Sequence, residues 1–277
     1  MTPSNIAFPG DPSPRRNGRQ STRGALRPDA FLQSLEKGLD VLESFQFTKP
    51  VQTIAEVAAC TGHDRATTRR ALLTLVQKGY LAQNGKHFSL TAKVLGFGYQ
   101  YLAALPFWAQ AHPVLEELSD ELNETISIGV LDGWDVVFIL RVPAKRLLTF
   151  DPSTGSRVPA HVHSIGHVLL ASLQAAELDA FLGQLELTSF TPNTIRNRRE
   201  LRAHLLQAGQ QQWAFANSQH ELNLGGVSVP IKNHHGKTLA ALNVNFIMDA
   251  DAERRARGHM LPRLQLAARR IQQSMRL

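Results

Sequence analysis

Cysteine is almost missing: Cys60 is the only one among 277 residues, which excludes an internal disulfide and the stapled scaffolds of small secreted domains. Its apolar surroundings read as core rather than as a nucleophile's site. Long apolar runs are also missing. No stretch approaches the roughly 18–20 apolar residues of a membrane span, and Met1-Thr2-Pro3-Ser4 opens no secretory hydrophobic core, so a cytoplasmic protein without membrane contact is expected. There is no Gly-x-Ser-x-Gly elbow, phosphate loop, Gly-x-Gly-x-x-Gly or His-Glu-x-x-His. Neither an enzyme nor a cofactor is therefore indicated.

Acidic residues are the scarcer charge, 23 against 30 Lys and Arg. The net charge of +7 favours a polyanionic partner without saying anything about fold. Part of it sits in residues 1–28, where Arg15, Arg16, Arg19, Arg23 and Arg27 stand against Asp11 alone among many Pro, Gly, Ser and Asn. Such a stretch cannot bury enough apolar surface to offset its ordering entropy, so it reads as a flexible basic arm, or as a leader with no task.

The length exceeds the usual single domain, so two cores are expected. Over residues 31–45, Leu32, Leu35, Leu39 and Leu42 recur at helical steps. Thr53-Ile54-Ala55-Glu56 is a capping box opening a short helix to Cys60, which Thr61-Gly62 stops. Asp64 is placed to cap a third helix over 65–79, whose inward face is Thr68, Ala71, Leu72 and Leu75. Its opposite face carries Thr67, Arg69 and Arg70. Residues 80–83 and 86–90 then flank Asn84-Gly85, a strong hairpin signal. The series predicts a winged helix-turn-helix over 29–90.

Arg65, Ala66, Thr67, Arg69 and Arg70 occupy the part of that third helix which enters the major groove in this motif. Arginine can bridge guanine O6 and N7, and the threonine methyl can meet thymine. Lys86 and His87 at the wing tip would reach phosphate, with a merely solvated hairpin as the competing reading. Thr53, at a helix start, joins the predicted DNA-contacting set.

Residues 91–105 form an apolar-rich helical stretch with Val94, Leu95, Phe97, Tyr101 and Leu102, read as a connector and dimerisation element within a 91–108 linker. The remainder, 109–277, alternates helices and strands. Helices are expected over 113–123, 164–173, 175–185, 198–212 and 254–275, and strands over 125–131, 136–142, 227–231 and 238–246. Hairpin-linked strands with helices on one face predict an α+β domain with an antiparallel sheet.

Within it, residues 155–170 deliver a loop into a helix start, where free N–H groups around Ser164 and Ile165 would receive a carboxylate. A packing junction, with Gly166 permitting close approach, is the alternative. His161, His163 and His167 lack a nearby acidic or cysteine ligand, so no metal is assigned. On the strand at 238–246, Asn243 and Asn245 alternate with Leu242, Val244 and Phe246. The amides face either a pocket or solvent. The loop from Asn217 through Glu221 to Gly226 is polar and placed like a binding lid.

Gln33-Ser34-Leu35-Glu36-Lys37-Gly38-Leu39, Arg65-Ala66-Thr67-Thr68-Arg69-Arg70, the 155–170 segment, Val227-Ser228-Val229-Pro230-Ile231 and Ala241-Leu242-Asn243-Val244 together resemble the IclR family of transcription regulators. The first half is most similar to the subgroup controlling protocatechuate and 4-hydroxybenzoate breakdown. The resemblance implies a winged-helix domain and a GAF-like effector domain, assembled as homodimers or homotetramers on operator DNA and responding to a small carboxylate, preferably an aromatic acid. It also implies effector contacts at Ser164, Ile165, Gly166, Asn217, Glu221, Gly226, Asn243 and Asn245. One departure stands out: many members have a small Ala-Thr or Ala-Ser pair after the loop histidine, and this chain has Val162-His163. The reading from another class is a small-molecule binder or enzyme whose N-terminal domain mediates protein contacts.

Overall fold

Thr53 opens the first ordered turn of the helix-turn-helix in the way its spacing dictates, accepting from the Glu56 amide while Glu56 accepts from the Thr53 amide at 2.7 Å. The structure is a computed structural model describing residues 31–145 and 153–275, so the basic arm expected over 1–28 lies outside the described residues. The chain divides into two compact units. One is built on residues up to Val76 with Gln83–Ser89, the other on Gln77–Ala82 with residues from Leu90 onward.

The first unit holds α1 (Gln33–Glu43), β1 (Val51–Thr53), α2 (Ile54–Thr61) and α3 (Arg65–Gln77), and the hairpin strands β2 (Leu81–Asn84) and β3 (His87–Leu90) complete its sheet in the order β1-β3-β2. Gly62 ends α2 at φ 74, a left-handed conformation that suits glycine, and its N–H donates to the Ala58 carbonyl. Val41, Phe45, Val57, Leu72 and Phe88 are buried. Two expectations are corrected. The hairpin turn is Gly85-Lys86, with Asn84 still in β2, because Gly85 supplies the positive φ of 58 while Asn84 stays extended. The leucine stripe of α1 faces solvent rather than a core: Leu32, Leu35 and Leu39 are 67%, 59% and 50% exposed.

In the second unit a 3-10 turn (Ala92–Val94) leads into α4 (Leu95–Ala103) and α5 (Trp108–Leu122). The strands are β4 (Thr125–Asp132), β5 (Asp135–Val142), β6 (Arg157–Pro159), β7 (Ala214–Asn217), β8 (Leu224–Lys232) and β9 (Thr238–Ile247). They pair antiparallel in the order β6-β5-β4-β9-β8-β7. Between β6 and β7 lie α6 (Ser164–Leu170), α7 (Ala175–Gln184) and α8 (Arg198–Gln211), and α9 (Ala252–Arg255) passes through a π turn into α10 (Leu261–Ser274).

Helices cover both faces of this sheet, not one as expected, because its strands present two different faces. Ile126, Ile128, Val227, Val229, Leu242 and Val244 pack with Leu115 of α5 and Leu264 and Ile271 of α10. On the other side Val136, Phe138 and Ala241 gather with Ile165 and Leu169 of α6, Phe181 of α7 and Leu205 of α8. The predicted helix start at Pro113 is also corrected: α5 begins at Trp108 and runs through the proline.

The approach of α6 to the turn before it sets the tightest packing constraint. A Cβ on Gly166 would lie 1.9 Å from the Ala160 carbonyl oxygen, a backbone atom that no rotamer change can move. Gly166→Ala is therefore expected to cost more than about 3 kcal/mol or to abolish folding of this unit. Tryptophan fluorescence during urea unfolding measures it, since Trp108, Trp134 and Trp213 all lie in the second unit; a loss below about 1 kcal/mol would refute the close approach.

Candidate nucleic-acid interface and ligand site

In the first unit, α3 buries Thr68 and Leu72 and turns Arg65, Ala66, Arg69 and Arg70 to solvent. Asp64 Oδ1 accepts from the Thr67 amide at 2.9 Å, and the bond to Thr67 holds the Asp64 carboxyl below its usual range. Arg70 donates to the partly buried Thr67 hydroxyl at 3.2 Å. The wing residues Lys86 and His87 are exposed, and His87 lies opposite Thr53 across the β1–β3 pair. The helix start of α2, the outer face of α3 and the wing thus present hydroxyl, guanidinium, ammonium and imidazole groups. Such a set can hold phosphate and read base edges.

In the second unit the register aligns polar residues across the sheet. Arg141 pairs with Ser127, Ser127 with Asn243, and Asn243 with Ser228; the adjacent row is Thr125, Asn245 and Gly226. Directly opposed residues share one face, and here that face meets α6. Ser228 donates to Ser164 Oγ at 2.8 Å, and Asn243 Nδ2 lies 3.0 Å from both hydroxyls and 3.1 Å from the Val227 carbonyl. The carbonyl fixes which end of the amide is nitrogen. Asn243 Oδ1 is fully buried and has no hydrogen-bond donor among the described residues. A Cβ on Gly226 would come within 2.8 Å of Asn245 Oδ1 and 2.9 Å of Ser164 Oγ, so these four predicted residues converge.

The other four do not. Ile165 is buried in the apolar cluster, and its N–H, expected free, donates to His163 Nδ1 at 3.2 Å. The residue where this chain departs from the family pattern has filled the helix start. Gly166 packs on Ala160 instead of facing a ligand. Asn217, at the end of β7, and Glu221 are exposed, and neither side chain bonds to the Ser164 cluster. Their loop is nevertheless fastened: Thr191 Oγ1 donates to the Ser218 carbonyl at 2.5 Å and Thr194 Oγ1 to that of Gln219 at 2.7 Å. Ser218 and Asn223 flank it at φ 51 and 61.

Two residues escaped the sequence reading. Arg141 donates to Ser127 Oγ at 3.0 Å with its guanidinium 5.2 Å from the Phe138 ring centre, and His163 meets the same ring edge-on at 5.6 Å. The histidines are spent on hydrogen bonds rather than on a metal. His167 Nε2 lies 2.9 Å from the His161 carbonyl, and its Nδ1 is 3.1 Å from His204 Nε2. A groove of about 730 Å³ near Ser172, Gln212, Lys232 and Lys237 contains none of the predicted ligand residues.

Comparison with known proteins follows the same division. The description "IclR helix-turn-helix domain" matches residues 34–85, and "Bacterial transcriptional regulator IclR C-terminal" matches 99–273. The Pca regulon regulatory protein of Pseudomonas putida is 36% identical over 243 residues, spanning 87% of this chain and 83% of the relative. The p-hydroxybenzoate hydroxylase transcriptional activator of Acinetobacter baylyi is 34% identical over 223 residues, spanning 79% and 82%. A solved Rhodococcus sp. RHA1 protein described as a transcriptional regulator superposes with a TM-score of 0.77 at 37% identity, covering 89% of this chain and 99% of that one.

Burial pushes His163 and His167 down to about 3, helped by the positive field of Arg141 and His220 on the first and of His204 on the second. Because the folded pKa lies below the ordinary value, the unfolded chain protonates first, and stability falls as pH drops from about 6.5 toward 3. Near pH 5 the two rings together give a slope of about 2.7 kcal/mol per pH unit. Urea unfolding followed by tryptophan fluorescence at pH 7 and pH 5 tests this, and equal stability at both would show that the rings are not buried neutral.

Proposed function

The chain belongs to the IclR family of bacterial transcriptional regulators, and from that premise we propose that an aromatic carboxylic acid controls its binding to operator DNA. The family makes it a DNA-binding regulator rather than an enzyme. The observation that carries the residue assignment is the outward display of Arg65, Ala66, Arg69 and Arg70 on α3, with Thr67 beside them. Thr53, Lys86 and His87 supply phosphate contacts, which set register without reading sequence.

Effector control is supported by the buried cluster of Ser164, Gly226, Asn243 and Asn245, because so many polar groups under one helix suit an oxygen-rich ligand. Ile165 and Gly166 shape it from behind, and the loop bearing Asn217 and Glu221 forms its rim. The similarity to regulators named for the Pca regulon and for p-hydroxybenzoate hydroxylase supports an aromatic acid. The organisation we assign is a DNA-binding domain over 29–90, a linker over 91–108 and an effector domain over 109–277.

The working unit is a homodimer or homotetramer. Leucines 32, 35 and 39 on α1, and Leu95, Phe97, Tyr99 and Tyr101 on α4, are each at least half exposed. Each such side chain forgoes about 1.5–3 kcal/mol of burial unless a second copy covers it. No helix among the described residues is long and apolar enough to cross a membrane, which agrees with action on DNA in the cytoplasm.

Operator binding by Arg69→Ala and Arg70→Ala proteins tests the reading face. A base-reading arginine should cost about 1–3 kcal/mol and relax sequence preference, whereas a phosphate contact should reduce the salt slope by about 0.9. Unchanged affinity and salt slope in both would refute it. Effector and operator must also alter each other's affinity by one factor, so calorimetry of the acid with and without DNA checks the coupling.

A further inference from the structure

With the Ile165 N–H occupied by His163, an acid entering the second unit needs its counter-charge elsewhere. We propose that Arg141 is that counter-charge, gripping the effector's carboxylate while Asn243 Oδ1 accepts a hydroxyl from the far end of the ligand. The proposal rests on the effector reading above. It narrows the ligand to an aromatic acid that also carries a hydroxyl donor.

Position comes first. Arg141 lies in the same cross-strand row as Ser127, Asn243 and Ser228, so it shares the face on which Ser164 closes the predicted ligand cluster. The rest of that row is hydroxyls and an amide. Arg141 and Asn243 are two strands apart, which separates their Cα atoms by roughly 10 Å. With an arginine side chain reaching inward, the remaining span suits one aromatic ring with a substituent at each end, and a two- or three-carbon keto acid would leave one end unmet.

Orientation comes next. Ser127 Oγ accepts from Arg141 Nη1 at 3.0 Å, and the guanidinium lies over Phe138, so Ser127 is a positioning residue that aims the fork. A planar guanidinium matches the two oxygens of a carboxylate, and Phe138 with the edge-on His163 ring supplies an aromatic wall beside it. His163 stays neutral at physiological pH, so the charge that draws an anion belongs to Arg141.

The last observation concerns the far end. Asn243 spends its nitrogen on Ser164, Ser228 and Val227, which locks the amide and leaves the buried Oδ1 facing no donor among the described residues. A buried acceptor without a partner is costly, and a ligand hydroxyl removes that cost while a bare ring does not.

The full-length protein is titrated calorimetrically with 4-hydroxybenzoate, benzoate and 4-hydroxybenzamide, using wild type, Arg141→Gln, Arg141→Lys and Ser127→Ala. In wild type the acid should bind roughly 10- to 150-fold more tightly than its amide, the range of a charge-assisted hydrogen bond. Benzoate should be weaker than 4-hydroxybenzoate. Arg141→Gln should bring the acid down to the amide's affinity and leave the amide unchanged, with Arg141→Lys and Ser127→Ala in between. Should Arg141→Gln not fold, the wild-type ratio of acid to amide decides the question. Equal affinity for acid and amide in wild type, or equal losses for both ligands in Arg141→Gln, overturns the Arg141 assignment alone. Absence of binding by all three ligands in wild type overturns the effector reading with it.

Discussion

The hydroxyl of Ser164, buried and shared between Ser228 and Asn243, ties α6 to the middle of the six-stranded sheet. Polar groups removed from water must find partners, and their loss costs more than their presence gains. These three side chains satisfy most of one another's needs, so the helix can sit in only one register over the sheet. Two glycines follow from that seating. Gly226 leaves room for Ser164 and the two asparagines, and Gly166 lets the helix cross the Ala160 carbonyl. The unit therefore has an apolar side that packs against α5 and α10 and a polar side organised around one short helix.

The first unit is organised by helix termini instead. Thr53 with Glu56, Gly62 at φ 74 and Asp64 with Thr67 fix where α2 ends and α3 begins. Each contributes on the order of 1 kcal/mol, but their joint effect is orientation: with Thr68 and Leu72 inward, helical geometry leaves Arg65, Arg69 and Arg70 no place but outside. His63 Nε2, 2.9 Å from Asp40 Oδ2, holds the turn against α1. Binding charge is thus placed by the same residues that start and stop the helices.

Those termini were legible in the sequence because capping is local. The box at Thr53, the stop at Gly62 and the cap at Asp64 involve neighbours a few positions apart, and the chain shows them directly. Strands of three or four residues were not legible: β1, β6 and β7 are too short to display a period of two. The helix α5 was cut short because proline favours a helix start, yet this helix runs through Pro113. In the ligand site, Ser164, Asn243 and Asn245 showed themselves through a loop-to-helix junction and an alternating strand. Arg141 did not, since it follows an apolar run at a strand end and only the pairing with Ser127 puts it beside Asn243. The exposed leucines of α1 mark the opposite failure: periodicity locates an apolar stripe but does not say what covers it.

The substitution of His163 for a small residue changes which group can hold an anion. A helix terminus offers partial charge and free N–H groups, worth about 0.3–1 kcal/mol to a charged group near it. In α6 one of those N–H groups already donates to His163, and the seven-residue helix leaves little dipole to compensate. A guanidinium carries a full charge and a planar pair of donors, and hydrogen bonds to charged groups are worth about 1.5–3 kcal/mol. The comparison favours Arg141 over the helix start by enough to decide between them. It also gives His163 a definite part, as a neutral ring that closes one receptor and walls the approach to another.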